Sequence, residues 1–286
     1  MSNVIRCISK DGFVIVVAVD STSIIAEMER IHHTSATASA ALGRTLTAAV
    51  LMGSLLKNET DSVTLQIKGD GPIGGIIAVC DYDLNVRGEC DYPLADLPIN
   101  PITKKLDVGK LVGTEGQLIV SKDIGMIEPY VGQVPLVSGE IAEDITAYYA
   151  YSEQVPTVCS LGVLVDRDLT IKVAGGFLLQ LLPGATESEI ELIEKNLIAK
   201  ESISSLINNG LSPKDIAFQI MEGLNPEVLD ELESSYSCHC TEQYMRNILI
   251  SLGQEQQDAA VLEEGYIEIV CGYCQTKYRF TLDQLR

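Results

Sequence analysis

The sequence predicts an α+β N-terminal domain over residues 1–177 with a mostly antiparallel sheet and covering helices, a helical linker over 178–234, and a small four-cysteine zinc-binding C-terminal domain over 235–286. Three observations carry this reading. Short β-branched runs separated by Asp-Gly and Gly-Pro punctuation dominate the first part, with few helical patterns between them. After Gly175-Gly176 the composition shifts to acidic, helix-forming sequence. Four of the eight cysteines then cluster as Cys238, Cys240, Cys271 and Cys274.

In the first part, strands are expected at Phe13–Val19, Ser62–Lys68, Gly75–Cys80, Asn85–Glu89, Gly116–Lys122, Tyr130–Leu136 and Leu169–Ala174. Lys10-Asp11-Gly12 reads as the hairpin turn before the first of these, so this short apolar run is a strand and not a secretion signal. Between the strands, Leu42, Leu46, Val50 and Leu51 recur at helical spacing in the Ala-rich stretch Thr34–Lys57, and its small residues allow close approach to a sheet. A second helix is expected over Glu140–Glu153, with Ile141, Ile145 and Tyr148 or Tyr149 on one face. Runs of strands with few helices predict a sheet covered on one side.

In the linker, Thr186-Glu187-Ser188-Glu189 is a capping box opening a helix whose stripe is Ile190, Ile193, Leu197 and Ile198, stopped by Asn209-Gly210. Ser212, Pro213 and Asp215 open another helix through Met221. Helices this short are marginal unless they pack on something: the segment reads first as an ordinary helical hairpin packed permanently on the first domain, and alternatively as one that docks in one state and opens in another.

The C-terminal cysteines carry the chemistry. In Cys271-Gly272-Tyr273-Cys274 two thiolates separated by two residues can reach one ion, and Gly272 permits the tight turn between them. Flanking residues Val270 and Tyr278-Arg279-Phe280 read as hairpin arms, and a helix follows Thr241. Four sulfurs match the closed tetrahedral site of one structural zinc ion, with no position left for substrate or water. His239 lies between two ligands and is read as a neighbour, not a ligand. The Cys238-His239-Cys240 pair has one intervening residue, and adjacent thiols of this kind can bind metal or close into a small disulfide ring. Because the thiolate is both the metal ligand and the form that oxidants attack, the site reads either as a static ribbon or as an oxidation sensor. Cys7, Cys80, Cys90 and Cys159 are scattered and read as small buried side chains.

Composition limits the alternatives. With 286 residues, 46% hydrophobic and 5% aromatic with no Trp, the chain has an aliphatic core and room for more than one domain. Forty acidic residues against twenty basic ones argue against nucleic acid as partner, and near the ribbon only Arg246, Lys277, Arg279 and Arg286 are basic. No apolar run is long enough to span a membrane, and a cytoplasmic protein is expected. No enzyme is expected. Gly69-Asp70-Gly71-Pro72-Ile73-Gly74 lacks the Lys-Ser/Thr ending of a phosphate loop and reads as a turn. Neighbouring His32 and His33 point different ways, and Cys271/Cys274 lack the βαβ context of a thioredoxin-like site.

Taken in order, several motifs resemble the redox-regulated heat-shock chaperone family, the 33-kilodalton chaperonin of bacteria. They are Ala40-Ala41-Leu42-Gly43-Arg44, Gly69 to Gly75 followed by Val86-Arg87-Gly88, Ser152-Glu153-Gln154, Ala174-Gly175-Gly176-Phe177, Gln180-Leu181-Leu182-Pro183-Gly184, and the two cysteine pairs. The resemblance covers essentially the whole chain. It implies an ATP-independent holdase, inactive when reduced with one zinc bound. Peroxide at raised temperature or hypochlorous acid would activate it by joining Cys238 to Cys240 and Cys271 to Cys274, with zinc release and linker unfolding. It further implies unfolded client proteins as partners and a homodimer in the active form. Glu89 and Cys90 stand where the family has an aromatic and an aliphatic residue, and Cys80 and Cys90 are thiols outside the motif, available for extra or mixed disulfides.

Overall fold

The computed structural model describes residues 2–198, 201–262 and 264–286. The chain divides into two compact units, the first ending at Tyr236 and the second spanning Ser237–Arg286.

The first unit opens with a hairpin, β1 (Ser2–Ile8) and β2 (Val14–Asp20), followed by α1 (Thr22–His32) and α2 (Ala36–Gly53). Next come β3 (Ser62–Lys68), β4 (Gly75–Asp81), β5 (Asn85–Cys90), the short α3 (Val108–Val112), β6 (Gln117–Asp123) and β7 (Tyr130–Pro135). After α4 (Ala142–Tyr148) and a π turn (Tyr149–Glu153) come β8 (Thr157–Val165), β9 (Ile171–Leu181), α5 (Glu187–Ile198), α6 (Ile203–Asn208), α7 (Pro213–Ile220) and β10 (Glu227–Tyr236). The ten strands form one sheet in the order β7-β6-β3-β4-β5-β10-β1-β2-β9-β8, antiparallel except where β10 meets β5.

Local sequence explains much of this. β3 buries Val63, Leu65 and Ile67 and turns Ser62, Thr64 and Gln66 to the other face, the period-two pattern of a half-covered strand. α2 starts where the Ser35 hydroxyl accepts a hydrogen bond from Ala38 N at 3.1 Å, and it is buried on nearly every face. Its small residues matter, because a Cβ at Gly43 would lie 2.9 Å from Ile25 Cγ2 and 3.1 Å from Val163 Cγ2. α2 thereby lies against β4 and β5 in one half of the sheet and β8 and β9 in the other. α4 is started by buried Asp144, whose Oδ1 accepts from Val137 N at 2.7 Å and whose Oδ2 accepts from Ile141 N at 2.9 Å.

The structure differs from expectation in several places. The sheet is covered on both faces along β1, β2 and β9. Val4, Val17, Val19 and Leu178 face the core under α1 and α2, while Ile5, Val14, Val16, Ala18, Phe177 and Leu179 face a second core. That second core is closed by Ile193 of α5, Ile203 and Ile207 of α6, and Ile216, Ala217 and Ile220 of α7. The cause is visible in β2, whose Val14-Ile15-Val16-Val17-Ala18-Val19 run is apolar on both sides and so needs two covers. The predicted helix from Thr186 to Asn208 is two helices, and residues 199–200 within it lie outside the described residues. Its capping box forms, with Thr186 N donating to Glu189 Oε2 at 2.7 Å, while Asn209-Gly210 ends α6. The end of the predicted helical linker is a strand. Glu227–Tyr236 pairs with β1, tertiary pairing overriding a composition of Glu, Asp and Leu that favours helix. β9 likewise runs through the boundary placed at residue 177. The helix expected over Glu140–Glu153 changes to a π turn after Tyr148 and ends at Gln154, which has φ 56°. β1, α1 and β8 were not anticipated.

Ile216, 1% exposed, is central to the second core. Ile216→Ala is expected to cost about 2–5 kcal/mol of packing, and to speed amide exchange in α6 and α7 while leaving α2 protected. Equal acceleration in α2 would show that the two cores are not separable.

Candidate metal centre

The second unit contains α8 (Glu242–Ser251), α9 (Gln254–Ala260), the hairpin β11 (Ile267–Val270) and β12 (Lys277–Phe280), and α10 (Leu282–Leu285). α8 is opened by Thr241, whose hydroxyl accepts from Tyr244 N at 3.1 Å. The buried core is small: Met245, Leu249, Ile267, Cys271, Phe280 and Leu285, with Cys238, Cys240 and Cys274 packed against it. A core of this size supplies little stability by itself, and a structural ion is the usual supplement.

The hairpin presents two of the sulfurs. Cys271 N donates to Thr276 O at 3.0 Å and Gln275 N to Cys271 O at 2.9 Å, closing the knuckle. Its left-handed residue is Gln275 (φ 58°), a role expected of Gly272, and the Gln275 amide Nε2 donates to Gly272 O at 2.9 Å. Cys238 and Cys240 bring the other two from the segment before α8. Cys238 Sγ lies 3.6 Å from Cys271 Sγ and Cys240 Sγ 3.3 Å from Cys274 Sγ, and all four sulfurs lie within 4.8 Å of one another. Metal–sulfur bonds of about 2.3 Å in a tetrahedron require sulfur–sulfur edges of about 3.8 Å, which these distances bracket. All four thiols are free. The donor set therefore fits one metal ion in a closed site. His239 is exposed and outside the group.

Neighbouring hydroxyls tune the sulfurs. Tyr278 Oη lies 3.2 Å from Cys240 Sγ, and this side-chain hydrogen bond pushes its phenol up to about 12; Tyr278 Oη also donates to Cys240 O at 3.3 Å. Burial pushes the Cys238 and Cys271 thiols up. Burial also raises Cys274, but its hydrogen bonds with Thr276, Cys240 and Cys271 more than offset this and lower it to about 7. One sulfur of the group thus has the thiolate character that both metals and oxidants require.

The remaining cysteines are far apart and buried or half-buried. Cys7 faces the second core, and Cys80 lies so close under α2 that a Cβ at Gly53 would be 2.6 Å from its Sγ. Cys80 sits opposite Val86 and Cys90 opposite Ile76, four residues apart along the ladder or about 13 Å, too far for a disulfide between them. Burial pushes Cys7 up to about 11 and Cys90 up to about 12, and raises Cys80 and Cys159 as well. The glycine loop is a structural turn: Gly71 N donates to Val112 O at 2.9 Å, and a Cβ at Gly71 would collide with Leu111 O. His32 Nε2 lies 3.1 Å from Tyr236 Oη, and His33 ends α1 in a left-handed conformation. Neither histidine belongs to a metal-ligand group among the described residues.

Two outcomes follow from these thiols. At pH 8, alkylation of the metal-loaded protein is expected to leave Cys7, Cys80, Cys90 and Cys159 unmodified, whereas all eight cysteines react after denaturation. Mass mapping checks this, and rapid labelling of Cys7 in the folded protein would contradict its burial. The raised Cys7 value, from 9.0 to about 11, adds stability that is complete below pH 9 and lost as pH rises through 11. Cys7→Ala should accordingly flatten the alkaline limb of a stability–pH curve.

The Hsp33 protein family profile matches residues 2–281. The chain is 44% identical over 282 residues to the 33 kDa chaperonin of Clostridium beijerinckii, covering 99% of this chain and 96% of that protein. It is 43% identical to the 33 kDa chaperonin of Acetivibrio thermocellus, covering 99% and 95% respectively. The crystal structure of the 33 kDa chaperonin from Thermotoga maritima superposes with a TM-score of 0.92 at 36% identity, covering 99% of this chain and 96% of that one. A match spanning both units, with the four-cysteine group included, shows that the chain belongs to the Hsp33 family.

Proposed function

We propose that this chaperone is a redox-regulated, ATP-independent holdase whose switch is the four-cysteine group. Its family carries the chaperone role. The observation behind the switch is a closed four-sulfur site in a unit whose buried core is only a few side chains. Cys238, Cys240, Cys271 and Cys274 would hold one Zn2+ in the reduced form, and the ion would cross-link two segments that their own packing barely holds.

Oxidation of four thiolates to two disulfides gives four electrons to the oxidant. Two molecules of peroxide would accept them and, with protons, leave as water. Disulfide sulfurs are poor ligands, so the unit loses its cross-link and unfolds. The resemblance pairs Cys238 with Cys240 and Cys271 with Cys274, and we adopt that pairing. In the reduced geometry the short contacts are Cys238–Cys271 and Cys240–Cys274, so mapping the oxidised protein distinguishes the two arrangements.

Loss of the second unit would free the chain after Tyr236, and α5 to α7 would then leave the second core. Val14, Val16, Ala18, Phe177 and Leu179 would be uncovered as a contiguous apolar face for unfolding clients. The division of labour is therefore an N-terminal client-binding core, a releasable linker and a C-terminal switch. A net charge of -20 favours the solubility of a client complex, a cytoplasmic location suits a reduced resting state, and the active form is proposed to dimerise. Among the described residues no helix is long and apolar enough to cross a membrane. No catalytic role is assigned to any residue.

The test combines metal analysis, thiol titration and light scattering of a thermally unfolding client. Oxidation should release one zinc together with four thiols, and the oxidised protein should suppress aggregation where the reduced protein does not. Zinc retained with four thiols intact, or equal suppression by both forms, would reduce the site to a static ribbon.

A further inference from the structure

β10 is an imperfect partner for the strand it covers. It faces all of β1 from Ser2 to Ile8, but the ladder shifts register between Arg6 and Cys7. Arg6 reaches Asp230 at 3.1 Å, yet its Nε is buried without a hydrogen-bond partner. On its other edge β10 meets β5 only at Ser235 opposite Asn85 and Tyr236 opposite Val86. Glu227, Leu229, Glu231 and Glu233 are exposed, and the strand is built from Glu, Asp and Ser, which favour strands poorly. β10 stands between the two halves of the sheet; Val228, Leu232 and Tyr236 pack against the cores, and Ser234 Oγ donates to Leu84 O at 2.7 Å and Tyr236 Oη to Gly88 O at 3.0 Å, so its loosest part is the acidic stretch before Ser234.

We propose that β10 is an intramolecular placeholder in a strand-addition slot, which an extended segment of a non-native protein occupies once β10 leaves. This rests on the holdase reading above and names how the client is held. Without β10, the outer N–H and C=O groups of β1 are unpaired in the middle of a sheet, and such groups demand partners. A non-native chain carries the same unpaired groups, and main-chain pairing does not depend on its sequence. On the α2 side the slot is walled by a cavity of about 500 Å³, lined by Arg6, Leu55, Leu56, Tyr82 and Leu84 together with residues of β10. Alternate side chains of an incoming segment would enter it, and β10 places Asp230 and Leu232 there. The chain order supplies the release: one residue, Ser237, separates Tyr236 from Cys238, so the strand ends next to the switch.

Amide exchange on the wild-type protein tests the slot, with reduced carboxymethylated α-lactalbumin as the permanently unfolded probe. Among residues 2–8, the amides directed at β10 should be protected in the zinc-loaded form, exposed after oxidation, and protected again by at least about tenfold in the probe complex, while those directed at β2 stay protected throughout and residues 227–236 stay exposed in the complex. Continued protection of 227–236 in the complex, or free exchange of 2–8, overturns the proposal. Protection of 2–8 that returns without probe and rises with protein concentration assigns the slot to a second copy and overturns the client assignment. A probe that is not captured at all by the oxidised protein refutes the holdase reading itself. As a second measurement, the tandem variant Asp230→Pro/Glu231→Pro removes one N–H from each edge of β10. It should capture the probe while zinc-loaded, and capture no greater than that of zinc-loaded wild type counts against the slot.

Discussion

The architecture depends on three adjacent strands, β1, β2 and β9, being apolar on both faces. A strand such as Val14–Asp20 cannot leave either side to water without exposing several β-branched side chains, each worth on the order of 1.5–3 kcal/mol of burial. One face is met by α1 and α2, and the other must be met by something else. That requirement draws α5, α6 and α7 onto the sheet, although none of them is long enough to be stable alone. The linker helices are thus not an independent layer. They are the second cover of the sheet, and removing them leaves a large apolar face in water at a cost.

The same dependence of weak elements on a neighbour recurs in the second unit. Its buried side chains include one of the four clustered sulfurs, Cys271, so the candidate metal-ligating group and the apolar core are not separate structures. Phe280 and Ile267 meet across the β11–β12 ladder, and the hairpin that aligns them is the one that presents Cys271 and Cys274. A change at Cys271 is therefore also a change in the packing of this unit, the coupling on which the proposed switch rests.

Much of this was legible in the sequence, and the failures have physical reasons. β3 and β4 alternate cleanly and have caps or turns of recognisable chemistry, so their bounds follow from period and punctuation. The four-cysteine group was legible because the spacing of Cys271 and Cys274 brings two thiolates to one ion and Cys238 and Cys240 supply the remaining two sulfurs. β10 fell inside the stretch expected to be a helical linker, while its fate is decided by β1, more than two hundred residues away. The second cover was missed although the evidence lay in the unbroken apolar run of β2, since a run of that kind does not say what will pack on it. The left-handed Gln275 in the knuckle was also not foreseeable. Glycine is the residue expected there, and here a side-chain amide bond to Gly272 O accompanies the turn.

The placement of β10 also bears on synthesis. β1 is the first strand of the sheet in chain order, yet one of its two neighbours is the last. During synthesis β1 therefore waits with one edge open until β10, more than two hundred residues later, has emerged, and a sheet with such distant pairing closes slowly. During that interval the nascent chain resembles the kind of molecule its family protects, a chain with exposed apolar strand and no partner. Its acidity then has a second use, because self-repulsion between nascent chains on neighbouring ribosomes opposes their association before residue 236 arrives.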